Sequence, residues 1–242
     1  MELEIKQGSV ITADVDAIVN SANEELCEGG GVCGAIFQAS GRKELQKECN
    51  AIGGCRTGHA VLTNGYKLKK YIIHAVGPIY NNDNDAKTLK SAITNALCLA
   101  DCYKFKSIGL VPISTGIFGY PILKASKIII QAVRSFKPKY LKTCYLYCYT
   151  HEEFQVFKDT YNKINLFPNG TTKNQKDDLI LQSIKSGRLR TSFIQSTLGI
   201  SYPRARKIFE YLVEQKMFVF DSNKKEYIPN ITENEYLEKL QD

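Results

Sequence analysis

Two amide side chains and two glycine-rich runs are the groups in this 242-residue chain best suited to chemistry. Asp16-Ala-Ile-Val-Asn-Ser-Ala-Asn23 delivers Asn20 and Asn23 to the carboxyl end of an apolar stretch, and Gly29-Gly-Gly-Val-Cys-Gly-Ala-Ile36 follows closely. Glycine lets main chain approach a ligand, and a helical pattern begins at Ala35 and Ile36, so unpaired amide N–H groups would face an anion there. Gly30, Gly31, Val32, Gly34 and Ile36 form one expected wall. A second run, Ser114-Thr-Gly-Ile-Phe-Gly119, comes directly after an apolar strand ending near Pro112. Its glycines would turn successive N–H groups of Ser114, Thr115, Gly116 and Ile117 towards the same anion. Phe118 offers a ring face, and the two asparagines carry donors and acceptors suited to sugar hydroxyls. The combination reads as a pocket for a ribose and a diphosphate. Asn20 has a second reading, as a side chain that satisfies neighbouring backbone. His74, flanked by apolar residues within a strand, reads as a core histidine.

These groups need a scaffold, and the hydrophobic pattern supplies one. β-Branched, apolar runs at 3–6, 17–19, 60–63, 71–76, 107–112 and 143–149 alternate with helical periodicity at 35–50, 86–103, 123–136 and 152–164. Strands alternating with helices predict an α/β sheet covered on both faces, with ligands at the carboxyl ends of its strands.

With those residues in view, positions 1–165 resemble a macrodomain, the ADP-ribose-binding α/β/α fold with a mixed sheet in three layers. The resemblance rests on Val15-Asp-Ala-Ile-Val-Asn-Ser-Ala-Asn23, Gly29 to Ile36, Thr57-Gly-His-Ala60, His74-Ala-Val-Gly-Pro78 and Pro112-Ile-Ser-Thr-Gly-Ile-Phe-Gly-Tyr-Pro121, in that order. It implies ADP-ribose or an ADP-ribosylated protein as partner, and hydrolysis of mono-ADP-ribose from acidic side chains or of O-acetyl-ADP-ribose, without metal or cofactor. It places Tyr149 against adenine and Asn23 at the distal ribose, where Asn23 and Cys33 are the candidate catalytic residues. Two positions depart from the family pattern. Cys33 stands where many hydrolytic members carry an aspartate that orients the attacking water, which leaves a non-catalytic reader as the alternative. Ser9 stands where an aspartate accepts a hydrogen bond from the adenine amino group, and a neutral acceptor is the weaker one.

A polar, aperiodic stretch at 166–176, containing Pro168 and Gly170, reads as a linker. Helical patterns at 178–185, 191–198 and 202–215, then a hairpin from 217–220 and 226–229, spell a small winged helix-turn-helix domain over 177–242. Gly199-Ile-Ser-Tyr-Pro-Arg-Ala-Arg-Lys-Ile208 resembles the winged-helix domain at the carboxyl terminus of bacterial DNA translocases. From Leu179 to Phe209 there is no acidic residue, and Arg188, Arg190, Tyr202, Arg204, Arg206 and Lys207 make a face expected to meet DNA phosphates.

Composition bounds these readings. A formal charge of +7 suits an anionic ligand or nucleic acid, and 14 Tyr and 11 Phe argue for a packed fold. No apolar run approaches the roughly 18 residues of a membrane span, and the start lacks a signal-peptide pattern, so a cytoplasmic protein without membrane contact is expected. The eight cysteines, including the Cys98/Cys102 and Cys144/Cys148 pairs, are expected to be buried, reduced thiols rather than zinc ligands.

Overall fold

Ala17 to Asn20 are buried in succession, so the middle of the sheet they belong to is covered on both faces. The computed structural model describes residues 1–81, 85–165, 171 and 173–240. They group into two compact units, Met1–Tyr161 and Asn162–Asp242.

The first unit contains strands β1 (Glu2–Gln7), β2 (Ala17–Ser21), β3 (Ala60–Thr63), β4 (Tyr71–Ala75), β5 (Ser107–Leu110) and β6 (Thr143–Cys148). Their order across the sheet is β1-β6-β5-β2-β4-β3. All neighbours are parallel except β3, which runs antiparallel to β4, giving a mixed sheet. Helices α1 (Gly31–Ser40), α2 (Arg42–Ile52), α3 (Asp85–Cys102), α4 (Ile122–Ser135) and α5 (His151–Asn165) connect and follow the strands. Leu89, Ile93 and Leu97 of α3 and Ile129, Ile130 and Val133 of α4 are buried, the three- and four-residue spacing of a core-facing stripe. At the end of the sheet away from the strand tips, the Asp16 carboxylate accepts from the N–H groups of Lys106 and Ser107 and ties β2 to β5.

The single helix expected over 35–50 is two helices. The first begins earlier, at Gly31, and the break falls at Gly41, whose φ of 99° is unfavourable for residues with a β-carbon. The cysteine expectation holds for Cys33, Cys49, Cys55, Cys144 and Cys148, which are buried, and fails for Cys27, exposed in the loop after β2, and for Cys98 and Cys102, exposed on the last turns of α3. On α3 the polar flank of an amphipathic helix, not the core, receives Cys98 and Cys102.

The second unit holds α6 (Lys173–Lys185), α7 (Thr191–Leu198), α8 (Tyr202–Glu214), an antiparallel pair β7 (Phe218–Asp221) and β8 (Glu226–Pro229), and α9 (Glu233–Lys239). Leu179, Ile194, Ile208, Leu212 and Phe218 form its buried centre. Residues 173–176 of the expected linker are helical, while 166–170 and 172 lie outside the described residues. Sequence periodicity missed α9. Its start is marked by Thr232 and Glu235, which cap each other's main chain reciprocally. Among the described residues no helix is long and apolar enough to cross a membrane.

Candidate functional site

The carboxyl ends of β1, β6, β5 and β2 open on one cleft of about 820 Å³. From the β1 and β6 side come Gly8 to Ile11, Tyr147, Tyr149, Thr150 and Glu153; from β5 come Val111, Pro112 and Ser114 to Phe118; from β2 come Ser21, Ala22 and Asn23, followed by Gly29 to Cys33 and Ala35. No lysine or arginine is among these residues. An anion here would be gripped by main-chain N–H groups and by the amino terminus of α1, whose cap is Gly30.

The two glycine-rich runs face each other. A β-carbon built on Gly30 would stand 3.1 Å from Ile117 Cδ1, so the side chain of the second wall already touches the main chain of the first. Gly34 does not line the cleft. It supports the first wall from behind, where an added β-carbon would stand 2.5 Å from the Gly29 carbonyl oxygen. In the second wall Ser114 takes a φ of 68°, which costs a non-glycine residue about 1–2 kcal/mol. Its N–H donates to Ser21 Oγ at 3.4 Å, and its own hydroxyl is buried without a partner.

Asn23 sits in the wall with its amide held at both ends by Cys27: Nδ2 donates to the Cys27 carbonyl at 3.0 Å and Oδ1 accepts the Cys27 N–H at 2.9 Å. One amide hydrogen is left for a sugar. Cys33 is nearly buried at the cleft floor. Its thiol donates to the Cys27 carbonyl at 3.8 Å and accepts from Asn20 Nδ2 at 3.5 Å. Beneath it, Asn20 Nδ2 also lies 3.1 Å from His74 Nδ1, and His74 Nε2 lies 2.9 Å from Thr63 Oγ1. Both ring nitrogens of His74 thus have a buried polar neighbour, whereas Asn20 Oδ1 is buried without one. Burial pushes the His74 imidazole down to about 4.

Three expectations for the site are corrected. Asn20 is fully buried and faces Cys33 and His74 rather than the cleft, so its backbone-satisfying alternative gives way to a side-chain network. Ile36 is core, on the inner face of α1, and Gly34 is packed against Gly29 as described. The remaining residues expected at the pocket do line it. At its β1 end, Ser9 Oγ accepts the Ile11 N–H at 3.3 Å and caps a short turn, which Lys70 Nζ steadies by donating to the carbonyls of Ile11 and Ala13. Tyr149 is 77% exposed, its ring presented to the cleft mouth.

Sequence reasoning missed Glu153. Its carboxylate accepts from the N–H groups of Tyr149 and Thr150, while Thr150 Oγ1 accepts the Glu153 N–H. The Thr-x-x-Glu spacing was the available signal, a capping box that fixes the turn carrying Tyr149. Among the described residues no group of three or more His, Cys, Asp or Glu side chains is arranged to hold a metal ion.

The basic face of the second unit is partly neutralised by acids from outside the run that lacks them. Glu226 on β8 pairs with Arg188 at 3.5 Å and Arg190 at 3.6 Å, and Arg206 pairs with Glu210 one turn on at 2.8 Å. Tyr202, Arg204 and Lys207 are exposed on α8.

Comparison with known proteins agrees with this geometry. Residues 19–129 match the family model of the Macro domain. A macro domain-containing protein of Caldanaerobacter subterraneus subsp. tengcongensis is 38% identical over 171 residues, covering 68% of this chain and 98% of the relative. An O-acetyl-ADP-ribose deacetylase of Salmonella newport is 40% identical over 164 residues, covering 64% of this chain and 91% of the enzyme. Among solved structures, the Oceanobacillus iheyensis macrodomain with ADP superposes with a TM-score of 0.64 at 32% identity, covering 67% of this chain and 91% of that one. The Trypanosoma brucei macrodomain in complex with ADP-ribose gives 0.61 at 34%, covering 65% and 68%. With a relative of this identity matched along nearly its whole length, the chain belongs to the macro domain family.

Proposed function

We propose that the cleft binds ADP-ribose and hydrolyses ADP-ribosyl esters, removing mono-ADP-ribose from acidic side chains or acting on O-acetyl-ADP-ribose. The observation that carries this reading is the opposition of two glycine-rich walls, Gly29 to Cys33 and Ser114 to Phe118, across a cleft without cationic side chains. Such walls suit a diphosphate held by main-chain donors. Adenine lies between Ser9 and Tyr149, and the distal ribose lies by Asn23 and Phe118. The named activity of the Salmonella relative and the ligand of the Trypanosoma structure support the same assignment.

In hydrolysis of the protein ester, water attacks the anomeric carbon of the distal ribose. The bond from that carbon to the carboxylate oxygen breaks, and the proton lost by water ends on the solvent-exposed carboxylate or in bulk water. The chain contributes position: Asn23 fixes the sugar, and the walls fix the diphosphate. Calorimetric titration with ADP-ribose, followed by product analysis on mono-ADP-ribosylated protein, tests both halves. Absence of heat at millimolar ligand removes the reading.

One observation favours a reader without catalysis. The Cys33 thiol is already spent on the Cys27 carbonyl and is a weak acceptor for a proton from water. Binding without turnover in the product analysis selects that alternative.

For the second unit, we propose a winged helix that binds DNA, a reading supported by three helices followed by a hairpin. Its support is the exposed start of α8, with Tyr202, Arg204 and Lys207.

A further inference from the structure

The parallel strands of the first unit all begin at the end of the sheet opposite the cleft. There the segments entering β4, β5 and β6 are tied together through Asp16 and Asp101. Tyr71 N–H donates to the Asp16 carbonyl at 3.0 Å and Lys106 N–H to Asp16 Oδ2 at 2.6 Å. The Asp101 carboxylate accepts from the N–H groups of Lys139, Tyr140 and Leu141 at 2.9, 2.6 and 2.9 Å. Both carboxylates are thus engaged by main chain.

This scaffold gathers rings and lysines in alternation, Tyr103-Lys-Phe-Lys106 with Lys139-Tyr140 and Tyr71. Phe105, nearly buried, holds the Tyr71 ring at 5.0 Å and the Tyr103 ring at 5.8 Å, tilted by 30° and 29°. The two outer rings of this strip are 41% and 55% exposed. Lys104 and Lys106, the neighbours of Phe105, converge with Lys139 on the half-buried Tyr140, their Nζ atoms 5.7, 5.3 and 5.2 Å from the ring centre. All three lysines are exposed, and among the described residues no carboxylate forms an ion pair with them; Lys106 acts on Asp101 only at longer range. Three ammonium groups around one ring repel one another and share a single π-face. A run of phosphates would neutralise each of them.

We propose that this face binds single-stranded nucleic acid, with phosphates on Lys104, Lys106 and Lys139 and bases stacked on Tyr71 and Tyr103. An acidic peptide would use the lysines and leave the rings in water. A duplex keeps its bases within its own stack, so only an unpaired strand engages both halves of the patch. The site shares no residue with the cleft and stands whatever the cleft binds.

The test is fluorescence anisotropy with the full chain, using a short oligo-dT and a polyglutamate of matched charge. The triple variant Lys104→Gln, Lys106→Gln, Lys139→Gln should bind oligo-dT at least about tenfold more weakly and lower the slope of log affinity against log salt by about 2. Tyr103→Ala should weaken oligo-dT about fivefold or more and leave the slope unchanged. Both variants should melt as the wild type does. Should either unfold, ultraviolet crosslinking of the wild type to an iodouracil-containing strand, read by mass spectrometry, must place an adduct on Tyr71 or Tyr103. Adducts confined to the second unit, polyglutamate bound as tightly as oligo-dT, or an oligo-dT affinity that the folded triple variant retains overturns the proposal.

Discussion

Asn20 Nδ2 lies 3.1 Å from His74 Nδ1 beneath the cleft floor, so a neutral imidazole holds the amide that in turn contacts Cys33. The buried ring titrates at about 4, well below its ordinary 6.5. Between those values the unfolded chain binds a proton that the folded chain refuses, so stability rises with pH across the window and is lost as pH falls from 6.5 to 4. The full effect is about 3 kcal/mol. Urea unfolding at pH 7.5 and pH 5 should show a larger acid loss for the wild type than for His74→Gln. Equal losses would remove His74 as the titrating group.

Gly34→Ala should distort the first glycine-rich wall, because its new methyl would stand 2.5 Å from the Gly29 carbonyl oxygen, a main-chain atom that cannot rotate aside. Overpacking of this kind costs about 1–3 kcal/mol. We expect a lower melting temperature and weaker ADP-ribose binding together, read by thermal unfolding and calorimetry.

Cys33→Asp should raise ester hydrolysis by at least about tenfold, since a carboxylate is a far stronger proton acceptor than the thiol. It would sit in the first turn of α1, with the Asn20 amide within reach as a donor. Timed release of ADP-ribose from modified protein measures the effect, and a fall in rate would show that the thiol itself belongs to the mechanism.

Glu226→Gln should release both Arg188 and Arg190 from their shared acid. If the second unit meets DNA through that face, duplex affinity rises and the slope of log affinity against log salt steepens. Anisotropy titrations at several salt concentrations decide the matter; an unchanged slope removes these two arginines from the interface.

The sheet and the two glycine-rich walls were legible because strand and helix periods differ and glycine runs after apolar strands have few other uses. The orientation of Asn20 was not. β2 is buried on both faces, so alternation along it supplies no solvent side against which to place the residue. Ile36 misled for a different reason: the helix was expected to begin at Ala35, and starting it at Gly31 rotates Ile36 into the core while Val32 and Ala35 line the cleft. The ion pairs of Arg188 and Arg190 were hidden because Glu226 is remote in sequence and reaches them only through the pairing of Leu189 with Tyr227. Cys33 and Asn23 could be placed at the cleft from sequence, but their shared partner, the Cys27 peptide, depends on a loop conformation that no period encodes.

β1 has a single neighbour, β6, and the two are separated by more than half the chain. The seam between β1 and β6 therefore closes only after Thr143 to Cys148 have been made, whereas Lys70, which steadies the Ser9 turn, is made earlier. A ligand held between Ser9 and Tyr149 would touch both strands of that outermost seam, and so would close it from the cleft side.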